Sequence, residues 1–395
     1  MIHHKALPVH TNIAIIGAGP VGMWLAFSLV KAGHQVVLIE ATKRNQKKLE
    51  TRALALSWES LRLFNMLGIN RAQLQANDIH HIDIAQYPSW GKTLLTQHDL
   101  GLDYLGAVVE YRILIQQCHL LLQKQLKTSI LFDDHRAEIV RNVGEVAHIL
   151  IHHQGQKKIL TADLAILAEG STALPIAPDL VKHIHPYNQC AIAAQVTFSQ
   201  PAYHAAYEYF SPYGPCALLP YAGHYRLLWI RRQKDIAAQK MQLLQTQLQA
   251  VLGQRLGNIE HFQVTQQFVL SLKEAKHLAK GRIVLVGAAA QTLHPIAGQG
   301  LNLGLRDAQQ LVTSLKHHSL PIYFGDALKH YQSNRQKDRI QTIAFTHLLA
   351  KLAFQPQSAW LRGFVMNSLE LSTSFRQRFL AHMVFGSNLP PLQRT

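Results

Sequence analysis

The chain is short of cysteine, of acidic residues and of long apolar runs. Its 395 residues hold three cysteines, Cys118, Cys190 and Cys216, widely spaced and never in a CxxC pair. That excludes a disulfide framework and fits a reducing compartment. Asp and Glu number 23 against 39 Lys and Arg, a formal net charge of +16. Such an imbalance points to anionic partners: nucleotide cofactors, acidic lipid headgroups or nucleic acid. Nucleic acid is the weakest of the three, because no run of basic residues alternates with aromatics. The excess persists in the tail, where Lys316 to Thr395 carries ten Lys and Arg against three Asp and Glu. Asn12 to Val30 is uncharged and long enough to imitate a membrane span, but Gly17, Gly19, Pro20 and Gly22 interrupt it. The start, "MIHHKALPVHT", has no apolar core of a signal peptide. A cytoplasmic protein without a transmembrane helix is therefore expected. Histidine is plentiful, yet its pairs at 3–4, 80–81, 152–153 and 317–318 are adjacent. They lack metal-ligand spacing, and no metal site is expected. No Ser-His-Asp, Cys-His or paired-carboxylate constellation stands out.

What is present begins with "NIAIIGAGPVGMWLAFSLVKAGHQVVLIEA". An apolar strand over 13–16 runs into Gly17-x-Gly19-x-x-Gly22, a helix to about Lys31, and a second strand over 36–39 that ends at Glu40. Gly17 permits the tight turn, Gly19 lets backbone approach a pyrophosphate, and Gly22 lets helix and strand pack closely. The helix start offers unpaired N–H groups and a positive dipole end. Glu40, 18 residues beyond Gly22, stands where a carboxylate accepts from ribose hydroxyls. Strand, helix, second strand and acid are in register, so dinucleotide binding is expected.

A nicotinamide dehydrogenase would continue as alternating strands and helices. Here Thr51–Leu67 reads as a helix, short strands follow around His81–Gln86, and another helix lies near Ile113–Lys124. "KKILTADLAILAEGS" is a strand ending in a Glu169-Gly170 turn. Some 120 residues later, "RIVLVGAAAQTLHPIAGQGLNLGLRDA" gives strand, glycine loop and helix. Separated elements converging on one nucleotide suggest the larger cofactor FAD.

These motifs, with "TRALALS", "VVEYRIL", "ADLAILAEG" and above all "TLHPIAGQGLNLGLRDA", resemble the UbiH/VisC-type FAD-dependent hydroxylases of ubiquinone biosynthesis. That group lies within the p-hydroxybenzoate-hydroxylase-like flavoprotein monooxygenases, and the resemblance covers nearly the whole chain. It implies an α/β fold: a Rossmann-like FAD-binding domain, an inserted antiparallel-sheet substrate domain and a helical C-terminal region. It implies that Gly17, Gly19, Pro20, Val21, Gly22 and Glu40 hold the ADP half of FAD, with Arg52, Arg112 and Glu169 near the cofactor. Gly287 and Ala288 would follow the strand, and Pro295, Gly298, Gln299, Gly300, Leu301 and Asn302 would border the flavin ring. His294 and Pro295 are the candidate catalytic positions.

The chain departs from that pattern in three places. Gly-Asp becomes Gly287-Ala288, a position that is often His is Gln291, and the Ala-Asp-Gly turn is Ala168-Glu169-Gly170. The implied activity is NAD(P)H- and O2-dependent hydroxylation of a polyprenylated phenol. The competing expectation is a flavin-poor homologue serving as an accessory or scaffold subunit beside other ubiquinone-biosynthesis proteins.

Between Gln189 and Leu272 the pattern turns to period two, in "CAIAAQVTF", "AAYEYF", "CALLPY" and "YRLLWIRR". "LLPYAGHYRLLWI" reads as a hairpin turning at Ala222-Gly223-His224. The expected division is 1–78, 100–180 and 276–325 for the FAD domain, 79–99 and 181–275 for the substrate domain, and 326–395 for the helical region. Leu301, Leu305, Ala308, Val312 and Leu315 mark the buried face of the helix after the glycine loop. In the tail, Trp360, Phe364, Phe375 and Phe379 mark a helical segment that is expected to pack on the main domain. Its aromatic and basic residues also admit peripheral contact with the inner face of a membrane.

Overall fold

The computed structural model describes residues 6–42, 52–125, 131–170, 177, 180–235, 241–316 and 324–387. The first sheet is built on parallel strands. His10–Ile16 lies between Val36–Ile39 and Gln156–Leu167, and Ile283–Leu285 adds beyond the latter. Their unbroken apolar runs follow from burial on both faces of a parallel sheet. Helix α1 (Pro20–Lys31) connects the first two strands and is buried along most of its length. Pro20 stands in its first turn, where a missing N–H costs nothing. At Gly22 any side chain would overlap the carbonyl of Gly17, so the close crossing of helix and turn requires glycine. An antiparallel ribbon, Arg136–Val143 with Val146–His153, branches off the first half of Gln156–Leu167.

The segment after residue 51 corrects the sequence reading. Ala53–Ser57 is a strand paired with Gly106–Glu110, and helix α2 (Trp58–Asn65) begins only after it. Alternating Ala-Leu-Ala-Leu suits a strand as well as a helix, and pairing decides. Ser57 ends the strand and caps α2, its hydroxyl accepting from the Ser60 N–H at 3.3 Å. Helix α3 (Tyr111–Gln125) then packs beside α1.

The second sheet has eight strands. At its centre the long strands Lys182–Phe198 and Ile259–Ala275 pair antiparallel. On the far side follow His224–Arg232, Cys216–Tyr221, Ala205–Phe210, His81–Gln86 and Lys92–Thr96. The hairpin turns at Ala222 and Gly223, both with positive φ, as a two-residue turn matched to strand twist requires. One face carries Tyr207, Tyr225, Leu227 and Trp229, buried against helix α4 (Met241–Leu252). The other carries Ile82, Ile84, Ala206, Phe210, Leu219 and Tyr221, which meet the three-stranded sheet of Ala53–Ser57, Gly106–Glu110 and Asn77–Ile79, the glycine loop and the C-terminal helices.

Four helices complete the chain: α5 (Gln299–Lys316), α6 (Phe324–Leu352), α7 (Ala359–Leu371) and α8 (Thr373–Phe385). The packing expected of the tail is made by its other residues. Gly363, Met366 and Leu369 face inward on α7, as do Leu380 and Val384 on α8. Phe379 is half-buried, but Trp360, Phe364 and Phe375 are exposed, the first two at 65% and 61%. No helix among the described residues is long and apolar enough to cross a membrane.

Candidate cofactor site

The glycine turn of residues 17–22 opens onto a cavity of about 710 Å³, lined by Gly17, Gly19, Glu40, Tyr111, Arg136 and Glu169, among others. Nothing stands within 4 Å of where a Gly19 side chain would be, so the backbone there is free to meet a phosphate. Glu40 follows the second strand as the sequence predicts. Its carboxylate accepts from the N–H of Ala18 at 3.0 Å and of Thr42 at 3.1 Å, which fixes it at the cavity wall. Arg52 stacks on the ring of Tyr111 at 4.2 Å, and Arg112 pairs with Glu110 at 2.8 Å. His135 also lines this cavity, stacked face to face on His153 with centroids 3.9 Å apart. Nothing in the periodicity near residue 135 had singled it out.

Glu169 shares the cavity with Glu40. Its Oε1 is buried and has no hydrogen-bond partner among the described residues. Burial first, and the Glu40 charge second, push its carboxyl up to about 7. An orphaned acceptor in a polar, nucleotide-sized cavity is what a hydroxyl-bearing ligand would satisfy. The residues present therefore fit FAD at its ADP end.

At the other end, strand Ile283–Leu285 delivers the chain to Gly287, whose φ of +59° makes the turn. Gly287 packs directly on Gly304 of α5 and on Val21 of α1, so the two glycine loops are joined by contact. Ala288 is exposed and brings no polar group. The loop before α5 is held open by Ala297 and Gly298, with φ of +63° and +60°. Gly300 has open space beside it. The start of α5 thus presents the backbone N–H groups of Gly300, Leu301 and Asn302, with the positive dipole end behind them.

Three predicted site residues prove to be builders of this loop. The Asn302 carboxamide makes four bonds, accepting from the Ser57 N–H and the Ser60 hydroxyl and donating to the carbonyls of Ala55 and Gly298. It ties α5 to the neighbouring strand and has no capacity left for a ligand. His294 is buried with both nitrogens engaged: Nε2 meets Gln189 Oε1 at 2.8 Å, and Nδ1 accepts from the Ile296 N–H at 3.3 Å. Burial lowers its pKa to about 4, so it is neutral at physiological pH. The catalytic role expected of His294 becomes one of positioning, because no proton-transfer site is free. Gln299 donates to the carbonyls of Ala297 and Met383, tying the loop to α8.

Gln291, the other departure from the family pattern, is absorbed by the fold. It donates to Asp307 at 2.7 Å and accepts from Arg339 at 2.9 Å. Asp307 also accepts from the Gly287 N–H and pairs with Arg335 at 2.8 Å. Asp338 then joins Arg335 and Arg306. The four charges of Arg306, Asp307, Arg335 and Asp338 are almost wholly buried, and they clamp the glycine turn to α5 and α6.

The fold is that of p-nitrophenol 4-monooxygenase PnpA from Pseudomonas putida, with a TM-score of 0.77 at 16% identity over 94% of this chain and 97% of that one. At that identity the likeness shows the fold, while its family and its relatives make the chain an FAD-dependent aromatic monooxygenase, with FAD as cofactor. The chain belongs to the FAD binding domain family, which it matches over residues 10–345. It is 27% identical to 3-demethoxyubiquinol 3-hydroxylase of Escherichia coli, over 83% of this chain and 86% of that protein. It is 25% identical to ubiquinone hydroxylase UbiL of Rhodospirillum rubrum, over 96% and 91%.

Proposed function

We propose that this enzyme hydroxylates the ring of a polyprenylated phenol on the route to ubiquinone, with NAD(P)H as reductant and O2 as oxidant. The observation that carries the reading is the apolar layer between the second sheet and the glycine loop. There Ile82, Ala206 and Leu219 pack with Ala53 and Val108, and Ile84 and Phe210 pack with Ile296. A greasy aromatic substrate fits such a lining, and the two named ubiquinone hydroxylases support the ring chemistry. The same division of labour follows: 1–78, 100–180 and 276–325 for FAD, 79–99 and 181–275 for substrate, and 326–395 as a cover.

Bound here, FAD supplies the reductant-driven activation of dioxygen that delivers hydroxyl to an electron-rich ring. The chain's residues bind, orient and keep water out. Gly17, Gly19, Pro20, Val21, Gly22 and Glu40 cradle the ADP half, and Glu169 takes a hydroxyl of the same half. Pro295 and residues 298–302 would border the ring, where the α5 N–H groups would favour negative charge. Asn302 and His294 fix the loop. Met366 of α7 closes on Ile296, and Leu380 and Val384 of α8 close over the cluster containing Ile82 and Ile84, which excludes water.

Peripheral membrane contact belongs to the same reading. The outer side of α7 is apolar, Arg378 is exposed on the neighbouring helix, and Glu370 is the single acid between residues 359 and 385. Deletion of the gene tests the pathway. An unhydroxylated prenylated phenol should accumulate and reveal the ring position, whereas unchanged ubiquinone and no such intermediate would contradict the proposal.

A further inference from the structure

The segment "AAYEYF" alternates faces strictly. Ala205, Tyr207 and Tyr209 enter the core against α4, while Ala206 and Phe210 point the opposite way, towards Val108 and towards Ile296 of the glycine loop. Glu208 lies between those two on the second face. Pairing fixes it there, opposite Ala217 on one side and Ile84 on the other. Ala206 packs with Ile79, Val108 and Ala53, and Phe210 packs with Ile296 and Met366. Each is about 7 Å along the strand from Glu208. The carboxyl is thus bracketed by the strand and the loop that border the proposed flavin ring, and Gly298 sits beside Ala55 to join those two walls.

Among the described residues Glu208 has no hydrogen bond and no ion pair. It is not sealed by packing either, since it keeps partial accessibility while desolvation pushes it up to about 8. A desolvated carboxyl set between Ala206 and Phe210 with no partner is costly unless a ligand supplies one. None of the interactions assigned to FAD uses it.

We propose that Glu208 is a catalytic residue that receives the hydroxyl proton of the bound phenol. The inference rests on the proposed phenolic substrate. In the step, the phenol O–H bond breaks and a carboxyl O–H bond forms, while the electron pair stays on the phenolate oxygen. No oxidation state changes. The phenolate donates into its ring, which raises the nucleophilicity needed for attack on the oxygen delivered with NAD(P)H and O2. A base of this strength suits a phenol, since proton transfer is most effective when the catalytic pKa lies near the working pH. The titratable neighbour coupled to Glu208 is Cys216, whose own thiol is pushed far up by burial and stays neutral. The polar and charged groups on this face are Tyr221 and Arg226 of the adjoining strands, with Arg226 paired to Glu110, Thr93 beside Ile84, and Arg362, which lies over the Phe210 ring and is held by Gln86.

The test uses the full-length, FAD-loaded enzyme in detergent with a prenylated phenol. Glu208→Gln keeps the shape and removes the base. It should bind FAD normally, melt with the parent, and lose roughly 100-fold or more in kcat. The parent's rate should rise with pH through about 8, and that limb should vanish in Glu208→Gln. Glu208→Asp should keep the limb at reduced rate. A Glu208→Gln enzyme with parental kcat and an unchanged pH profile would overturn the proposal. If the parent itself leaves every prenylated phenol untouched, the substrate reading fails instead. Release of flavin by both variants would assign Glu208 to the fold and overturn its catalytic role.

Discussion

At the residue scale, two side chains test the proposed grip on the cofactor. Ala288 stands exposed at the glycine turn where the resembling proteins carry an acid. Its backbone is in an ordinary helical turn, so Ala288→Asp should be accepted without strain. Regaining one buried hydrogen bond should strengthen FAD binding by about 1–3 kcal/mol, roughly 5- to 150-fold, in a fluorescence titration. Glu169 acts through charge. Its carboxyl is neutral below about 7 and ionised above, beside Glu40 and next to where the pyrophosphate would lie. FAD affinity should therefore fall as pH rises from 6 to 8, by about 1 kcal/mol after screening, or roughly fivefold. Glu169→Gln should remove that slope, and a slope equal to the parent's would contradict the assignment. Linkage has the same sign in the cofactor-free protein. A raised acid pKa stabilises the fold below the unfolded value, and that contribution is lost as pH rises through about 7.

At the scale of elements, the parallel strands and α1 were legible because burial on both faces leaves unbroken apolar runs. The same logic failed for 51–67, where Ala-Leu alternation fits either period until a partner strand is known. The glycine loop was legible as a shape, but the work of its side chains was not. Asn302 looked like a ligand, and only the meeting of distant segments shows its four bonds spent on Ser57, Ser60, Ala55 and Gly298. Asn302→Ala should cost about 2–3 kcal/mol in urea unfolding, since it leaves buried backbone groups unpaired. Glu208 carried a readable signal, an acid on an apolar face in period two, whose meaning depended on knowing what that face covers. In α7 the outward side is the apolar one, with Trp360 and Phe364 exposed. Trp360→Ser with Phe364→Ser should weaken sedimentation with anionic phosphatidylglycerol vesicles at least tenfold, and leave turnover of a soluble phenol unchanged. Undiminished sedimentation would place membrane contact elsewhere.

At the scale of the whole molecule, the chain spends buried charge to hold its cofactor loops together. The Arg306–Asp338–Arg335–Asp307 network links the glycine turn to α5 and α6, and the Ser387 N–H adds the end of α8 through Asp338. Sequence patterning marked Asp307 within its motif but not Arg335 or Asp338, which lie on a helix with charges all around. Asp338→Ala would strand Arg306 in the interior, leave Arg335 with Asp307 alone, and should cost about 3–5 kcal/mol. Its effect should appear as lost flavin as well as a lowered melting temperature. The most direct test of the central claim is reconstitution of the purified chain with FAD and NAD(P)H in detergent under 18O2, with a polyprenylated phenol as substrate. The structure predicts a phenol carrying one additional labelled oxygen. NAD(P)H oxidation that yields only peroxide, with no labelled product from any prenylated phenol, would contradict it.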